Sequence, residues 1–217
     1  MVNVLDYFDD EKIKMKDCIV NNPKKKFVFR EVIGNEVFFI KKYTPHGKKA
    51  LRINLFVKRD RAEHYEYISN ELKKIDIPHI EPLKVVVKKK SFFKRESLVV
   101  TKDGGEVFED VLRRLELKTQ KEMIDIYFNY YVKMAKNKIY VTDYNLSGAL
   151  IGNDGVIRLI DFDAYKKRYY LTRRLKNRIL EEIHKGNDLE VIGGFSEEIA
   201  VYMKNKIKQI IKEIGLD

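Results

Sequence analysis

The hydrophobic period of this chain changes once, and that change constrains the fold more than any other feature. Up to about residue 102 apolar and polar residues mostly alternate as in half-buried strands, with one helical interruption. Phe27–Val32 and Val37–Tyr43 read as two arms of a hairpin around Gly34-Asn35, which tolerate the positive φ of a tight turn. An earlier strand is expected over 15–20, and two later ones over 83–88 and 97–101. The interruption is a helix over 60–75, with Tyr65, Ile68, Leu72 and Ile75 at helical spacing and Asp60 as its cap. Beyond residue 102 helices are expected over 106–115, 119–136, 169–185 and 196–214, and the one hairpin there spans Ala149–Ile160. The prediction is an α+β chain: residues 1–102 form an N-terminal antiparallel sheet with one helix, residues 103–217 a helical C-terminal lobe, together one domain.

Composition narrows the class. Of 217 residues 44% are hydrophobic, enough to build a core and to exclude wholesale disorder. A single cysteine, Cys18, excludes an internal disulfide framework. No apolar run reaches the ~18–20 residues that span a bilayer, and the acidic first ten residues lack the layout of a secretory signal, so a cytoplasmic protein is expected. With 44 Lys+Arg against 33 Asp+Glu, the net charge is +11, which attracts polyanions. Lysine dominates the basic clusters (Lys24–Lys26, Lys48-Lys49, Lys88–Lys90), whereas base reading relies on arginine. No specific nucleic acid is therefore expected. A phosphorylated or lipid-linked glycan suits the charge, as does an anionic membrane surface holding the protein peripherally on its inner face. The four histidines show no ligand spacing, so no transition-metal site is expected.

Three charged residues stand at strand ends or on strands in a telling order. Lys41 lies on the third strand, sharing a face with Phe39 and Tyr43. Asp143 follows the short apolar stretch Ile139–Val141. Asp161 follows Leu159-Ile160, at a buried strand end where a bare carboxylate would be costly without a partner or a metal. Asp143 and Asp161 bracket the Ala149–Ile160 hairpin.

This order resembles the protein-kinase-like fold, from catalytic loop to metal-binding Asp-Phe-Gly, over nearly the whole chain. At 217 residues the chain is too short for a regulated activation segment, which points to the small-molecule branch. Within it the chain is most similar to the lipopolysaccharide core heptose kinases, through Ile40-Lys41-Lys42-Tyr43-Thr44-Pro45, the stretch Leu55–Asp60 and the run Gly152–Asp161. The resemblance implies ATP and Mg²⁺ as cofactors and a heptose hydroxyl as acceptor. Lys41 would contact the α/β-phosphates, held by a helix glutamate, Glu66 first and Glu63 second. Val100 and Thr101 would border the adenine. Asp161 would bind Mg²⁺, and Asp143 would orient the attacking hydroxyl or accept its proton. The chain departs from the pattern in four places: Asn21-Asn22-Pro23 replaces a Gly-rich loop, Val141-Thr142 precede Asp143 in place of His-Arg or His-Gly, Asp163 replaces the Gly of Asp-Phe-Gly, and Gly148 stands where kinases carry a metal-binding Asn. Asn145 or Asp163 would then supply the missing oxygen. A catalytically impaired pseudokinase that binds nucleotide, and a kinase acting on an aminoglycoside or a protein, stay open as alternatives.

Overall fold

Alternation and one turn build the centre of the sheet. The strands β1 (Cys18–Asn22), β2 (Lys26–Ile33) and β3 (Glu36–Tyr43) are consecutive and antiparallel, and β2 and β3 are in register from Lys26 opposite Tyr43 to Ile33 opposite Glu36. Gly34 turns the hairpin at φ +61°, a conformation that costs glycine nothing in sterics. The computed structural model describes residues 2–9, 11–22, 26–91, 94–160, 164–166 and 171–216.

The helices α1 (Gly47–Asn54) and α2 (Arg61–Lys73) follow, then β4 (Pro82–Lys89) and β5 (Arg95–Lys102). The sheet order is β1-β2-β3-β5-β4. Its one face carries Phe29, Phe38, Ile40, Leu98 and Val100, which pack with Val2, Val4, Tyr7 and Phe8 from an N-terminal 3₁₀ turn over Val4–Phe8. Cross-strand pairing puts Val28, Lys41 and Val99 together on the other face. Asp60 caps α2, accepting from the Ala62 N–H at 2.9 Å, while Glu63 accepts from the Asp60 N–H at 3.3 Å, a reciprocal capping box.

Two elements here differ from expectation. The first strand begins at Cys18, and Lys12–Met15 form a 3₁₀ turn instead. The helix α1 is an addition to the expected elements: at eight residues, with Ala50 and Ile53 buried, it is shorter than the ~11–18-residue window over which a period is read.

The chain divides into two compact units, residues 1–70 with 80–103, and residues 71–79 with 104–217. The second unit opens with β6 (Glu106–Val107) and α3 (Phe108–Arg113), where one helix over 106–115 was expected. The amphipathic α4 (Leu117–Lys136) leads into β7 (Ile139–Val141). Then come β8 (Ala149–Ile151), β9 (Ile157–Leu159) and β10 (Ala164–Lys166). The predicted hairpin is β8–β9, with β6 added to its edge, and β10 pairs with β7. The unit closes with α5 (Arg173–Lys185), α6 (Leu189–Ile192) and α7 (Glu197–Glu213), and α4 packs against α7. Among the described residues no helix is long and apolar enough to cross a membrane.

Glu71 ties the start of this unit together. It accepts from Lys74 at 2.6 Å and pairs with Lys166 at 3.1 Å, and Lys166 also donates to the Asn137 carbonyl at 2.9 Å. The hydrogen bond from Lys74, helped by Lys166 against a desolvation cost, holds the Glu71 carboxyl below its usual range. A depressed carboxyl stabilises the fold above its unfolded pKa and loses that stabilisation as pH falls through its folded value. Glu71→Gln is thus expected to cost about 1 kcal/mol near neutrality, given the partly exposed lysines. That difference from wild type begins to shrink as pH falls through the ordinary glutamate value of about 4.3 and vanishes only below the depressed folded value, as urea unfolding at a series of pH values would record.

Candidate functional site

Strand alternation separates two adjacent lysines. Lys42 turns to the core face, where its Nζ lies 3.3 Å from Glu96 in a buried ion pair. Lys41 turns to the other face and is only 9% exposed. Its Nζ lies 5.8 Å from the ring centroid of Tyr65, within cation–π range. Tyr65 is buried on α2 and donates from its hydroxyl to the Ile80 carbonyl at 2.7 Å, which fixes the ring.

The helix glutamates stand elsewhere. Glu66 is exposed on α2. Glu63 belongs to the capping box and accepts from Arg95 at 3.0 Å. One residue along a helix is a rotation of about 100°, so Tyr65 and Glu66 face different surroundings, and Tyr65 is set against Lys41. Thr101 is opposite Phe39 and shares the Lys41 face. Val100 is opposite Ile40, inside the core cluster, so only its main chain is free of that packing.

In the second unit the loop after β7 presents Asp143 to solvent. Its flanks are buried: Thr142 before it and Tyr144 after it. The Asp143 Oδ1 accepts from Asn145 Nδ2 at 2.7 Å, and Asn145 Oδ1 accepts from the Ser147 hydroxyl at 2.7 Å. Asp143 and Asn145, two residues predicted for the site, are thus joined directly. A concave surface lined by Tyr127, Val141, Asp143, Asn145, Gly148 and Ile160 adjoins them.

Buried side chains hold this loop by its carbonyls. Tyr127 donates to the Asn145 carbonyl at 2.6 Å and Tyr131 to the Val141 carbonyl at 3.3 Å. Tyr144 stacks on Tyr127 with ring centroids 4.3 Å apart and donates to the Tyr127 carbonyl at 2.5 Å. Asn187, fully buried after α5, donates to the Tyr144 carbonyl at 2.6 Å and to Ile183 at 2.9 Å. Burial holds the Tyr127 phenol well above its ordinary range, with the Asp143 charge adding to the effect, so it remains a neutral donor at any physiological pH. Gly186 makes the close approach possible: a Cβ there would fall 3.0 Å from the Asn145 Cβ and from the Glu182 carbonyl.

The amphipathic pattern of 119–136 marks Tyr127, Tyr130 and Tyr131 as core or rim residues, but not the hold of Tyr127 and Tyr131 on the loop. Asn187 and Ser147 carried no signal at all. Asp161 and Asp163 lie outside the described residues, as do Lys24, Lys25, Tyr169 and Tyr170. Among the described residues no three acidic, histidine or cysteine side chains group as a metal cage. Mg²⁺ in phosphotransfer sites needs only one or two carboxylates beside phosphate oxygens. The local fit to such an ion rests on Asn145. A Cβ at Gly148 would stand 3.5 Å from Asn145 Oδ1, so a hard oxygen already occupies the region a side chain at 148 would reach.

The fold is known among solved structures. The chain is similar to WaaP, solved in complex with acyl carrier protein, with a TM-score of 0.61 at 13% identity, over 95% of this chain and 87% of that one. No family model matches the chain, and no curated protein matches its sequence. The likeness establishes the architecture: a mixed α/β kinase-like fold with an N-terminal antiparallel sheet and a helical C-terminal region.

Proposed function

We propose that the chain is an ATP-dependent phosphotransferase that phosphorylates a sugar hydroxyl, a heptose of the lipopolysaccharide inner core being the acceptor its motifs best match. The observation that carries this reading is the Asp143 loop: an exposed carboxylate, oriented by Asn145 and anchored through carbonyls to buried tyrosines, on a kinase-like fold. Phosphoryl transfer asks a protein for positioning and charge neutralisation more than for covalent chemistry, and a rigidly presented carboxylate serves that need.

Asp143 would orient the acceptor hydroxyl and take up its proton. Lys41, dry on its strand face against Tyr65, would neutralise the α/β-phosphates. Thr101 and the Val100 main chain would border the base. Asp161 and Asn145, with Asp163, would hold Mg²⁺, which supplies charge neutralisation on the phosphate oxygens when bound. A lipid-linked acceptor would bring the enzyme to the inner face of a membrane.

A second reading has its own observation. Gly148 offers no ligand at a position where kinases carry Asn, which favours a nucleotide-binding pseudokinase. Incubation with Mg²⁺·ATP and dephosphorylated core oligosaccharide, with an aminoglycoside and a peptide mixture as competing acceptors, separates these readings. Phosphate transferred to the oligosaccharide supports the proposal. Transfer to another acceptor corrects the substrate class, and ATP binding without transfer supports the pseudokinase.

A further inference from the structure

The C-terminal end of α1 carries an apolar tip to which the phosphotransfer reading assigns no role. Leu55, Phe56 and Val57 are 54%, 93% and 65% exposed, the one run of three exposed large hydrophobic residues among the described residues. The backbone beneath them is a Schellman turn: the Val57 N–H donates to the Arg52 carbonyl at 2.9 Å and the Phe56 N–H to Ile53 at 3.0 Å. Phe56 occupies the left-handed position of that turn, at φ +57°. Glycine is usual there, because any Cβ is strained. The other described non-glycine residues at positive φ are Asp76 and Lys138, both polar. At Phe56, by contrast, a left-handed position carries a large apolar side chain and turns almost all of it to water.

The stretch of chain that carries the tip is one-signed in charge up to Arg59. From Val37 to Arg59 the sequence holds seven Lys or Arg and no Asp or Glu. Three of these cations, Arg52, Lys58 and Arg59, lie within three residues of the tip and are exposed, and Lys48 and Lys49 are exposed at the other end of α1. Arg59 is held over the Tyr67 ring, 3.7 Å from its centroid.

We infer that the Leu55-Phe56-Val57 tip is a wedge that inserts into an anionic lipid bilayer, with Arg52, Lys58 and Arg59 seated among the headgroups. Three consecutive protruding apolar residues match the hydrocarbon boundary, where aliphatic and aromatic groups partition. The cationic collar matches a continuous anionic plane, to which each Lys or Arg adds attraction, and its long stems let the charges stay at headgroup level. Exposed apolar side chains set among cations match a bilayer, which offers hydrocarbon directly beneath an anionic plane. The inference does not depend on phosphotransfer: it rests on the surface of α1, so vesicle binding and turnover can fail separately.

The absence of tryptophan from the chain makes the test direct. In Phe56→Trp the only indole sits at the tip. On vesicles of phosphatidylcholine with about one third phosphatidylglycerol, its emission is expected to shift blue and to be quenched by brominated acyl chains, at about 0.1 M salt. Phe56→Gly removes the apolar group and relieves the left-handed strain. It is expected to keep or raise the melting temperature while sedimentation with those vesicles falls about tenfold. The double reversal Arg52→Glu with Lys58→Glu is expected to lower binding at least as far, and pure phosphatidylcholine to bind weakly. An unshifted indole in the presence of anionic vesicles, or Phe56→Gly binding as wild type does, would overturn the wedge and leave the tip to a protein partner.

Discussion

Asp143→Asn is expected to lower phosphotransfer by about a hundredfold to ten-thousandfold, the span that positioned acid–base groups contribute, while leaving the fold intact. The substitution is nearly isosteric. An asparagine Oδ1 at 143 can still accept from Asn145 Nδ2, now 2.7 Å away, so the Asp143–Asn145–Ser147 chain of hydrogen bonds survives. The exposed side chain buries nothing, so thermal unfolding should match wild type. What disappears is the negative charge and the ability to take a proton from the attacking hydroxyl. ATP affinity, set by other groups, should change by less than about twofold, so the loss falls on kcat and not on nucleotide binding. Steady-state transfer to core oligosaccharide, with nucleotide titration alongside, measures both. Turnover within threefold of wild type would remove Asp143 from the chemistry. Asn145→Ala then distinguishes a metal-holding amide from a merely orienting one: the first raises the Mg²⁺ concentration needed for half-maximal rate, the second lowers kcat at every Mg²⁺ concentration.

The parts of this structure that a reader of the sequence can find are those governed by local periods. Alternation over 27–43 with Gly34-Asn35 between the arms defines the hairpin, and it also places Lys41 on the face opposite Ile40. The same rule, applied to β5, already sets Val100 apart from Thr101, because neighbours on a strand point to opposite faces. The helix partner of Lys41 was harder. Residues 60–75 mark a helix by their spacing, but whether Tyr65 or Glu66 meets the strand depends on a rotation that only tertiary packing fixes. Residues 47–54 are illegible for another reason: at eight residues α1 is shorter than the ~11–18-residue window over which a helical period is read, and its C-terminal turn puts Phe56 where glycine is expected. The anchoring of the Asp143 loop lies furthest from the sequence. Asn187 meets the Tyr144 carbonyl across 43 residues, and hydrogen bonds from side chain to distant main chain follow no spacing rule.

That anchoring predicts a large effect remote from any reacting atom. Tyr127 is fully buried, packs on Phe108, Phe128 and Tyr144, and donates to the Asn145 carbonyl at 2.6 Å. Tyr127→Ala would leave a ring-sized cavity and lose that bond together, at a cost of about 3–5 kcal/mol, a large share of the stability of an ordinary domain. Tyr127→Phe separates the two contributions. The ring and its packing stay, but the Asn145 carbonyl loses its buried donor, which costs about 1–3 kcal/mol. Urea unfolding of the two variants should therefore give midpoints in the order wild type, Phe, Ala, with similar slopes. If the hydroxyl acts by positioning the loop, Tyr127→Phe should also lower kcat several-fold at unchanged KM for ATP, under conditions where the variant remains folded. The same residue that releases the Asn145 carbonyl frees Asn145 to turn, and Asn145 is what orients the Asp143 carboxylate. A purely structural role would lower the unfolding midpoint and leave kcat of the folded fraction untouched. Asn187→Ala offers an independent check, because it loosens the same loop through the Tyr144 carbonyl without touching the ring stack. Matching losses of kcat in the two variants would establish that the loop, and not the aromatic cluster, is what the buried donors serve.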